Sequence, residues 1–458
     1  MTLITSVSGI RGTIGGKREK NLTPPDVVRF TAGYASWVIR KTGFSKPKVV
    51  VGRDARVSGP MVKQLVLGTL TGMGVDILDI DLATTPTVEM TVIHESADGG
   101  IIITASHNPY EWNALKLLNQ HGEFLSAVDG EEIVRLARKQ EFDYAIAENL
   151  GTITYDAAWN MKHIDHILAL PEVDREAIKK AGFKVIVDCV NSVGGVVIPE
   201  LLRSLGIREV IKLYCEPTGE FPHNPEPLPE NLTELSHLVT ESGAHVGFVV
   251  DPDVDRLAIV SENGECFGEE YTLVAIADYI LSRQAGNTVS NLSSSRALKD
   301  ITEKHGGAYS ASAVGEVHVV EQMKKTDAII GGEGNGGIIF PALHYGRDAL
   351  VGIALFLSFM AREKVACSQL RKRYPEYHIG KEKIEVSEHF DFNAFKRTLK
   401  EEYKEAEISE LDGIRFDFHD GWVHIRKSNT EPVIRVIAET SSEDRSNDLT
   451  KAILTKLK

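Results

Sequence analysis

Cysteine is scarce in this chain of 458 residues, and its few thiols are far apart. The four cysteines form no C-x-x-C pair and no short Cys/His spacing, so the sequence predicts neither a disulfide framework nor a zinc site. No apolar run approaches the roughly eighteen residues that a membrane helix needs, and the N-terminal segment lacks the pattern of a signal peptide. We therefore expect a cytoplasmic protein without a membrane partner.

Basic residues are outnumbered, because 51 Lys and Arg stand against 65 Asp and Glu, which gives a net charge of −14. This excess argues against a general nucleic-acid or anionic-membrane binder. The 42% hydrophobic and 25% charged residues are typical of folded globular domains. The length predicts about three domains, with four possible. Because the net charge is negative, any phosphate that the protein binds must be held by local Arg and Lys.

Strand and helix patterns alternate along most of the chain. Segments that begin near residues 46, 183 and 286 each pass from a β-branched run through a helical period into another apolar run, which predicts mixed sheets covered on both faces. Residues 372–383 are predicted to be a hinge, and alternating strands follow a charged helix after it. The predicted fold class is α/β, with three similar mixed-sheet α/β domains plus a C-terminal α+β domain. The expected boundaries are 1–152, 153–252, 253–369 and 370–458.

The stretch "IIITASHNPYEWNALK" places Ser106 directly after an apolar run that ends at residue 103 or 104. Such a position lies at the carboxyl end of a strand, where open α/β sheets build their sites. Pro109 keeps Asn108 out of helical geometry, so we expect the loop to project and the Ser106 hydroxyl to be exposed. A Ser/Asn turn with a helix cap is the simpler alternative. A hydrolase is disfavoured, because there is no G-x-S-x-G elbow and the adjacent His107 is poorly placed as a base.

Three aspartates follow a second apolar run in "FVVDPDVDRLAIV". The carboxylates of Asp251, Asp253 and Asp255 would repel one another unless a cation neutralised them, and a set of oxygen ligands suits Mg²⁺ or Ca²⁺. An EF-hand fails, since Arg256 occupies the position that needs glycine and a strand follows it. We therefore predict a metal site, with a solvated acidic turn as the alternative.

The third loop, "IIGGEGNGGIIF", satisfies G-x-G-x-x-G but is followed by an apolar run and a proline, not by a helix. A dinucleotide site needs that helix, so it is disfavoured. We expect the glycines to let the backbone approach a ligand closely, with Glu333 and Asn335 bonding to hydroxyls. A plain turn is the alternative.

The fourth loop, "HIRKSNTEPVIRV", is dense in donors and positive charge. Such an array suits a phosphate, and no Walker A motif competes with it, although a charged hairpin remains an alternative. The residues that we expect to hold the phosphate are Arg426, Ser428, Asn429, Thr430 and Arg435.

The motifs "TASHNP", "DPDVDR" and "RKSNTEP", in this order, resemble those of the α-D-phosphohexomutase superfamily. The resemblance implies four domains around a central cleft and a phosphoserine at Ser106, which exchanges its phosphoryl group with a hexose phosphate through a bisphosphate. It also implies a Mg²⁺ held by the serine phosphate and the three aspartates. The residues implicated in catalysis, in addition to Ser106, are His107, Lys116, Arg11 and Arg256.

The glycine-rich loop departs from the family pattern "GEMSGH" or "GEQSGH", since Asn335 replaces serine and Gly337 replaces histidine. His344 is a candidate to replace that histidine. The versions "GGEGNGG" and "HNPEP" resemble those of phosphoglucosamine mutases, which implies conversion of glucosamine 6-phosphate to glucosamine 1-phosphate with a hexose 1,6-bisphosphate as activator. Glucose or mannose phosphate is the alternative substrate. We expect a monomer or homodimer whose partner is a small sugar phosphate.

Two other classes of function stay open from the sequence. A phosphatase would also use a metal and an anion site, but it would release phosphate. A non-catalytic sugar-phosphate sensor would have no use for a serine beside three aspartates.

Overall fold

The computed structural model describes residues 2–6, 9–18, 20–387, 390–427 and 433–457. Among these residues the chain forms three mixed α/β sheets and one antiparallel sheet, which we call the first to fourth units in chain order. The predicted fold class is confirmed.

The first unit has parallel strands at its centre and an antiparallel edge. Its sheet runs in the order β1-β2-β6-β5-β3-β4-β7, with β3, β4, β5 and β7 parallel. The elements are β1 (Ile4–Ser6), β2 (Gly9–Thr13), α1 (Pro24–Thr42), β3 (Lys48–Arg53), α2 (Gly59–Gly72), β4 (Asp76–Leu82), α3 (Thr85–His94), β5 (Gly99–Ile103), β6 (Trp112–Leu118), α4 (Ala127–Lys139) and β7 (Ile153–Tyr155).

The second unit repeats this plan around the sheet β11-β10-β8-β9. Its elements are α5 (Trp159–Ala169), α6 (Arg175–Ala181), β8 (Lys184–Asp188), α7 (Gly194–Ser204), β9 (Glu209–Leu213), α8 (Thr233–Ser242), β10 (Val246–Val250) and β11 (Leu257–Ser261).

The third unit repeats it again around the sheet β13-β12-β14-β15. Its elements are α9 (Glu269–Arg283), β12 (Asn287–Asn291), α10 (Ala297–Lys304), β13 (Tyr309–Ser312), α11 (Glu316–Thr326), β14 (Ala328–Glu333), β15 (Gly337–Ile339), α12 (Ala349–Glu363) and α13 (Cys367–Arg371).

One connection is equivalent in all three units. In each, a parallel strand turns into an antiparallel neighbour, as β5 does into β6, β10 into β11 and β14 into β15. The serine, aspartate and glycine-rich loops are these three turns. Because each turn leaves the carboxyl end of a parallel strand, the fold presents all three at the edge where α/β sheets bind ligands.

The fourth unit is an antiparallel sheet, β16-β20-β19-β18-β17, with two helices on one face. Its elements are β16 (His378–Glu385), α14 (Phe392–Glu402), β17 (Glu407–Ser409), β18 (Ile414–Phe418), β19 (Gly421–Lys427), β20 (Val433–Thr440) and α15 (Glu443–Leu457). The predicted hinge at 372–383 was wrong in part, because residues from His378 onward pair with β20 along the whole of β16.

The second and third units share one continuous hydrophobic core, whereas the fourth has a core of its own. Helix α12 lies in the shared core, with every residue from Ala349 to Ala361 buried. A helix that is apolar all round needs such a site, and each large side chain gains about 1.5–3 kcal/mol from burial. None of the described helices is both long and apolar enough to cross a bilayer.

The sheets extend beyond two of the expected domain boundaries. Strand β7 pairs with β4 after residue 152, and β11 pairs with β10 after residue 252. We therefore propose that the first unit ends after Tyr155 and the second after Ser261.

Candidate active site

Ser106 follows β5 with a left-handed backbone, φ 48°. Its amide donates to Thr104 Oγ1 at 2.9 Å, and its hydroxyl donates to Asp251 Oδ2 at 2.6 Å. The expectation of an exposed hydroxyl was wrong, because Ser106 is 7% exposed. A non-glycine residue in this conformation costs of order 1–3 kcal/mol and persists only where its surroundings hold it. The serine is thus held against the aspartate loop of the second unit.

Arg56, which the sequence analysis missed, holds the serine loop from beneath. Its guanidinium is completely buried, and its Nε donates to Asp54 Oδ2 at 3.0 Å. Asp54 also accepts from the Thr104 hydroxyl at 2.7 Å. The remaining guanidinium hydrogens go to backbone carbonyls of the serine loop, namely those of Ser106, Asn108, Pro109 and Trp112. Their position in the sequence could have indicated these two residues. Asp54 and Arg56 follow β3, which pairs in parallel with β5, so they lie at the same sheet edge as Ser106.

The three aspartates of the second loop are completely buried and lie together. One carboxylate oxygen from each lies within 4.8 Å of the others. Asp251 Oδ1 accepts the amides of Asp255 and Arg256 at 3.1 Å each, whereas Asp253 Oδ1 and Asp255 Oδ1 have no hydrogen-bond partner among the described residues. Burial and the neighbouring carboxylates raise the pKa of Asp251 well above its usual range. Two unpartnered buried oxygens in a set of oxygen ligands fit a hard divalent cation such as Mg²⁺.

Lys116, on β6, supplies positive charge to the same cluster. Its Nζ lies 2.6 Å from Asp253 Oδ2 and 3.4 Å from Asp255 Oδ2. Burial would lower the pKa of Lys116, but the two carboxylates outweigh it and raise that pKa. Burial would likewise raise the pKa of Asp253, but the ammonium lowers it. Lys116 is therefore buried against the aspartate loop.

His107 lies next to Ser106, and the charges of Arg256 and Arg11 act on its imidazole. His107 Nδ1 is 3.4 Å from Ser106 Oγ, and burial together with the charge of Arg256 lowers the pKa of this imidazole well below its usual range. Burial and the nearby Arg256 also lower the pKa of Arg11. Two guanidinium groups that oppose each other in this way favour an anion between them. Glu226, which we had not selected, lies 3.5 Å from Arg256 Nη1 and 3.9 Å from His107 Nε2.

Arg347, also missed, joins the aspartate loop to the glycine-rich loop. Its guanidinium donates to Asp255 Oδ2 at 2.7 Å, to Glu316 Oε2 at 2.9 Å and to Glu333 Oε2 at 2.9 Å. Burial raises the pKa of Glu316 to about 7, although Arg347 acts against it. A single arginine in a loop forms no sequence motif. Arg347 can be identified as a site residue only from its contacts with three carboxylates in the structure.

The glycine-rich loop packs against its own chain. A Cβ on Gly334 would lie 1.8 Å from Glu270 Oε2, and Gly336, at φ 82°, would meet the Leu257 carbonyl at 2.3 Å. We expected these glycines to allow close approach of a ligand. The structure shows instead that Gly334 and Gly336 allow close packing against Glu270 and Leu257. Asn335 Oδ1 accepts the amide of Gly337 at 3.2 Å, which leaves its NH₂ group for other partners.

The expected phosphate site lies only partly within the described residues. Arg426 Nε donates to Asp412 Oδ2 at 3.0 Å. Arg435, on the neighbouring strand β20, lies opposite Arg426 in the register of the sheet. Ser428, Asn429 and Thr430 lie outside the described residues.

His344, the candidate to replace the missing loop histidine, is 4% exposed. Its ring nitrogens face Glu89 and Asp348, at 3.4 and 3.3 Å, so it lies in a separate buried cluster and not among the contacts of Ser106.

Comparison with known proteins finds four matching domain families, which together span most of the chain. Family models described as phosphoglucomutase/phosphomannomutase, alpha/beta/alpha domains I, II and III, match residues 3–144, 161–264 and 268–377. The model described as the C-terminal domain of phosphoglucomutase/phosphomannomutase matches residues 383–456.

Relatives match over nearly their full length. A phosphoglucomutase/phosphomannomutase of Thermococcus kodakarensis is 34% identical over 442 residues, 95% of this chain and 96% of the relative. A probable phosphoglucosamine mutase of Methanopyrus kandleri is 32% identical over 446 residues, 96% of this chain and 95% of the relative. The crystal structure of a phosphoglucomutase/phosphomannomutase family protein from Burkholderia thailandensis superposes with a TM-score of 0.84 at 25% identity, covering 99% of this chain and 97% of that one. The chain therefore belongs to the phosphoglucomutase/phosphomannomutase family of the α-D-phosphohexomutase superfamily.

Proposed function

We propose that this phosphohexomutase moves a phosphoryl group between O6 and O1 of a hexose phosphate through a phosphoserine at Ser106 and a bisphosphate intermediate. The observation that carries the proposal is the 2.6 Å hydrogen bond from Ser106 Oγ to Asp251 Oδ2, beside the unpartnered oxygens of Asp253 and Asp255. A nucleophile among three buried carboxylates suits transfer of a phosphoryl group. It does not suit a sugar-phosphate sensor.

The metal ligands in this proposal are the serine phosphate and one oxygen each from Asp251, Asp253 and Asp255. A bound Mg²⁺ would neutralise charge on the transferring phosphoryl group. The unpartnered oxygens of Asp253 and Asp255 support this assignment, because buried carboxylate oxygens need a hydrogen or a cation.

The groups around the serine each have an assigned task. Lys116 Nζ, 2.6 Å from Asp253, is assigned as the proton-transfer group of the site. Arg11 and Arg256 are assigned to the transferring phosphoryl oxygens, since two opposed guanidinium groups attract an anion. His107, within 3.4 Å of Ser106 Oγ, is assigned to orient the nucleophile.

The sugar and the phosphate that does not react are assigned to the third and fourth units. Glu333 accepts from Asn291, Gly315 and Arg347, which leaves about one of its four lone-pair sites for a sugar hydroxyl. Asn335 would donate from its NH₂ group. The residues assigned to the second phosphate are Arg426, Ser428, Asn429, Thr430 and Arg435.

Glucosamine phosphate is the preferred substrate in this proposal, and glucose or mannose phosphate is the alternative. The name of the Methanopyrus kandleri relative supports the first and that of the Thermococcus kodakarensis relative supports the second. When O1 reacts, the C2 substituent lies beside the transferring group, so a carboxylate that recognises an ammonium at C2 must lie close to Ser106. Glu226, next to Arg256 and His107, meets this requirement.

The direct test is intact-protein mass spectrometry before and after incubation with a hexose 1,6-bisphosphate and Mg²⁺. We expect the mass of one added phosphoryl group, located on Ser106 by peptide mapping, together with interconversion of hexose 1- and 6-phosphates. Net release of phosphate without interconversion would indicate a phosphatase. A protein that binds sugar phosphate but never gains the phosphoryl mass would be a sensor, and either result would overturn the proposal.

A further inference from the structure

A second cluster of side chains that could bind a metal surrounds Asp348, the residue after Arg347, and lies outside the contacts of Ser106. His163 comes from α5, His344 precedes α12, and Asp348 caps the first turn of α12 by accepting the amides of Leu350 and Val351. Glu89, on α3, approaches from the first unit. All four residues are buried, at no more than 4% exposure. The cluster therefore joins side chains of three units in one enclosed place.

The two imidazoles converge on a single oxygen. His163 Nε2 and His344 Nε2 lie 3.0 and 3.3 Å from Asp348 Oδ2, and the three candidate ligand atoms all lie within 4.8 Å of one another. A tetrahedral ion with bonds of roughly 2.0–2.2 Å holds its ligands about 3.3 Å apart. The two nitrogen-to-oxygen separations are close to what such an ion needs, and the third separation, between the two histidines, is within 4.8 Å.

The second ring nitrogen of each histidine, Nδ1, has a polar oxygen nearby. Thr87 Oγ1 lies 3.0 Å from His163 Nδ1, and Glu89 Oε2 lies 3.4 Å from His344 Nδ1. Metal-binding histidines are commonly held by a carboxylate or hydroxyl at their second nitrogen. A neutral His344 whose hydrogen is on Nδ1, the nitrogen nearest Glu89, would turn its Nε2 lone pair toward Asp348 Oδ2. A cation between these two atoms would make that arrangement favourable.

Charge balance points in the same direction. Glu89 and Asp348 are completely buried, and in the described part of the chain their ion pairs are only with His163 and His344. In the part of the chain that the structure describes, neither carboxylate oxygen of Glu89 makes a hydrogen bond, although Oε2 lies 3.4 Å from His344 Nδ1. A buried carboxylate in this state calls for an ion or water nearby. Two buried carboxylates are neutralised by one divalent cation.

We propose that His163 Nε2, His344 Nε2 and Asp348 Oδ2 bind one structural transition-metal ion of the zinc class, with Glu89 and Thr87 as outer partners. Imidazole ligands suit Zn²⁺ or Co²⁺, in contrast to the oxygen-only triad of Asp251, Asp253 and Asp255, which suits Mg²⁺. The ion would fix α3, α5 and the start of α12 to one another, at the residue that follows Arg347 in the chain. Short Cys/His spacing could not have indicated this site, because His163 and His344 are far apart in the chain.

The first experiment uses the untagged full-length wild-type protein. It is purified with Zn²⁺ present, dialysed and analysed for metals, and a chelator-treated sample is then titrated with Co²⁺. We expect one retained equivalent of zinc and visible Co²⁺ absorption bands of a low-symmetry site with nitrogen ligands, saturating at one equivalent. If no zinc is retained and Co²⁺ gives only the weak spectrum of the hydrated ion, the proposal is overturned. Glu89 is then protonated and the cluster is held by hydrogen bonds alone.

Two double variants locate the ion. H163Q/H344Q should lose the retained zinc and the Co²⁺ bands, and its thermal unfolding should become insensitive to added Zn²⁺. The matched control is H94Q/H166Q, which changes a stacked histidine pair on the same helices, α3 and α5, outside the cluster. It should keep both signals. Loss of the signals in the control but not in H163Q/H344Q would refute the assignment. If H163Q/H344Q does not fold, the wild-type Co²⁺ titration still decides the question.

Discussion

Arg347 and Asp255 form a 2.7 Å ion pair between Nη2 and Oδ2 that joins the glycine-rich loop of the third unit to the aspartate loop of the second. The same guanidinium contacts Glu316 and Glu333. A change of shape in either loop should therefore disturb the other. For this reason the variants proposed for the acidic loop preserve the size of the side chain.

Ser106→Ala should abolish nearly all mutase activity, because it removes the proposed phosphoryl carrier. It also removes the donor to buried Asp251, so we expect a loss of about 1–3 kcal/mol in the free energy of unfolding. Activity with a hexose 1,6-bisphosphate and urea unfolding measure the two effects. Near wild-type turnover in a folded variant would contradict the role of Ser106.

Asp253→Asn should raise the Mg²⁺ concentration needed for half-maximal activity and lower the rate by orders of magnitude, because it removes one charge from the proposed ligand set. The measurement is a Mg²⁺ titration of initial rates after chelation. Glu265→Gln, an exposed change just beyond the same hairpin, is the control and should behave as wild type. Indifference of the wild-type enzyme to chelator would rule out the metal.

Arg426→Ala should weaken sugar-phosphate binding by roughly 2 to 4 kcal/mol, the cost of removing a charge-assisted partner. The turnover number should fall too, since remote binding energy positions the reacting end. Isothermal titration with hexose phosphate and steady-state kinetics test both points. Arg445→Ala, an exposed arginine of the same unit paired with Asp420, serves as control. Unchanged affinity in Arg426→Ala would assign the second phosphate to other residues.

Arg56→Ala should destabilise the protein by about 3–5 kcal/mol, because buried Asp54 loses its partner and several loop carbonyls lose their donors. Arg56→Lys should recover only part of this, since an ammonium lacks the planar fork of five donors. Urea unfolding gives the comparison, with the exposed Arg203→Ala expected to cost less than about 1 kcal/mol. A loss of similar size in both alanine variants would remove the special role of Arg56.

The substrate preference can be measured with and without Glu226. On one enzyme preparation, kcat/KM should be highest for glucosamine 1-phosphate, ahead of glucose and mannose 1-phosphates primed with matching bisphosphates. Glu226→Gln should lower the ratio of glucosamine to glucose by about ten- to a hundredfold, the value of a charge-assisted bond of about 1.5 to 3 kcal/mol. An equal fall for all three sugars would show that Glu226 only orients Arg256. A tenfold wild-type preference for glucose or mannose phosphate would favour the alternative substrate.

The sequence by itself determined those features that are local. The runs before Ser106 and Asp251 are buried strands, and strand–helix alternation gave the α/β class because its periods of two and about 3.6 residues are written directly in the chain. Strand β16 escaped prediction because its exposed, charged residues lack an apolar stripe, and it forms through pairing with β20.

Only the tertiary structure decided which of the local signals meet. The serine and aspartate loops are equivalent turns of two different sheets. The hydrogen bond between Ser106 and Asp251 therefore depends on how the first and second units pack against each other. Arg56, Arg347 and His163 all bond to residues that are distant in the chain. The largest of these separations is the 185 positions between His163 and Asp348. No periodicity encodes such pairs, because a buried charge is defined by what surrounds it in space and not by its neighbours in the chain.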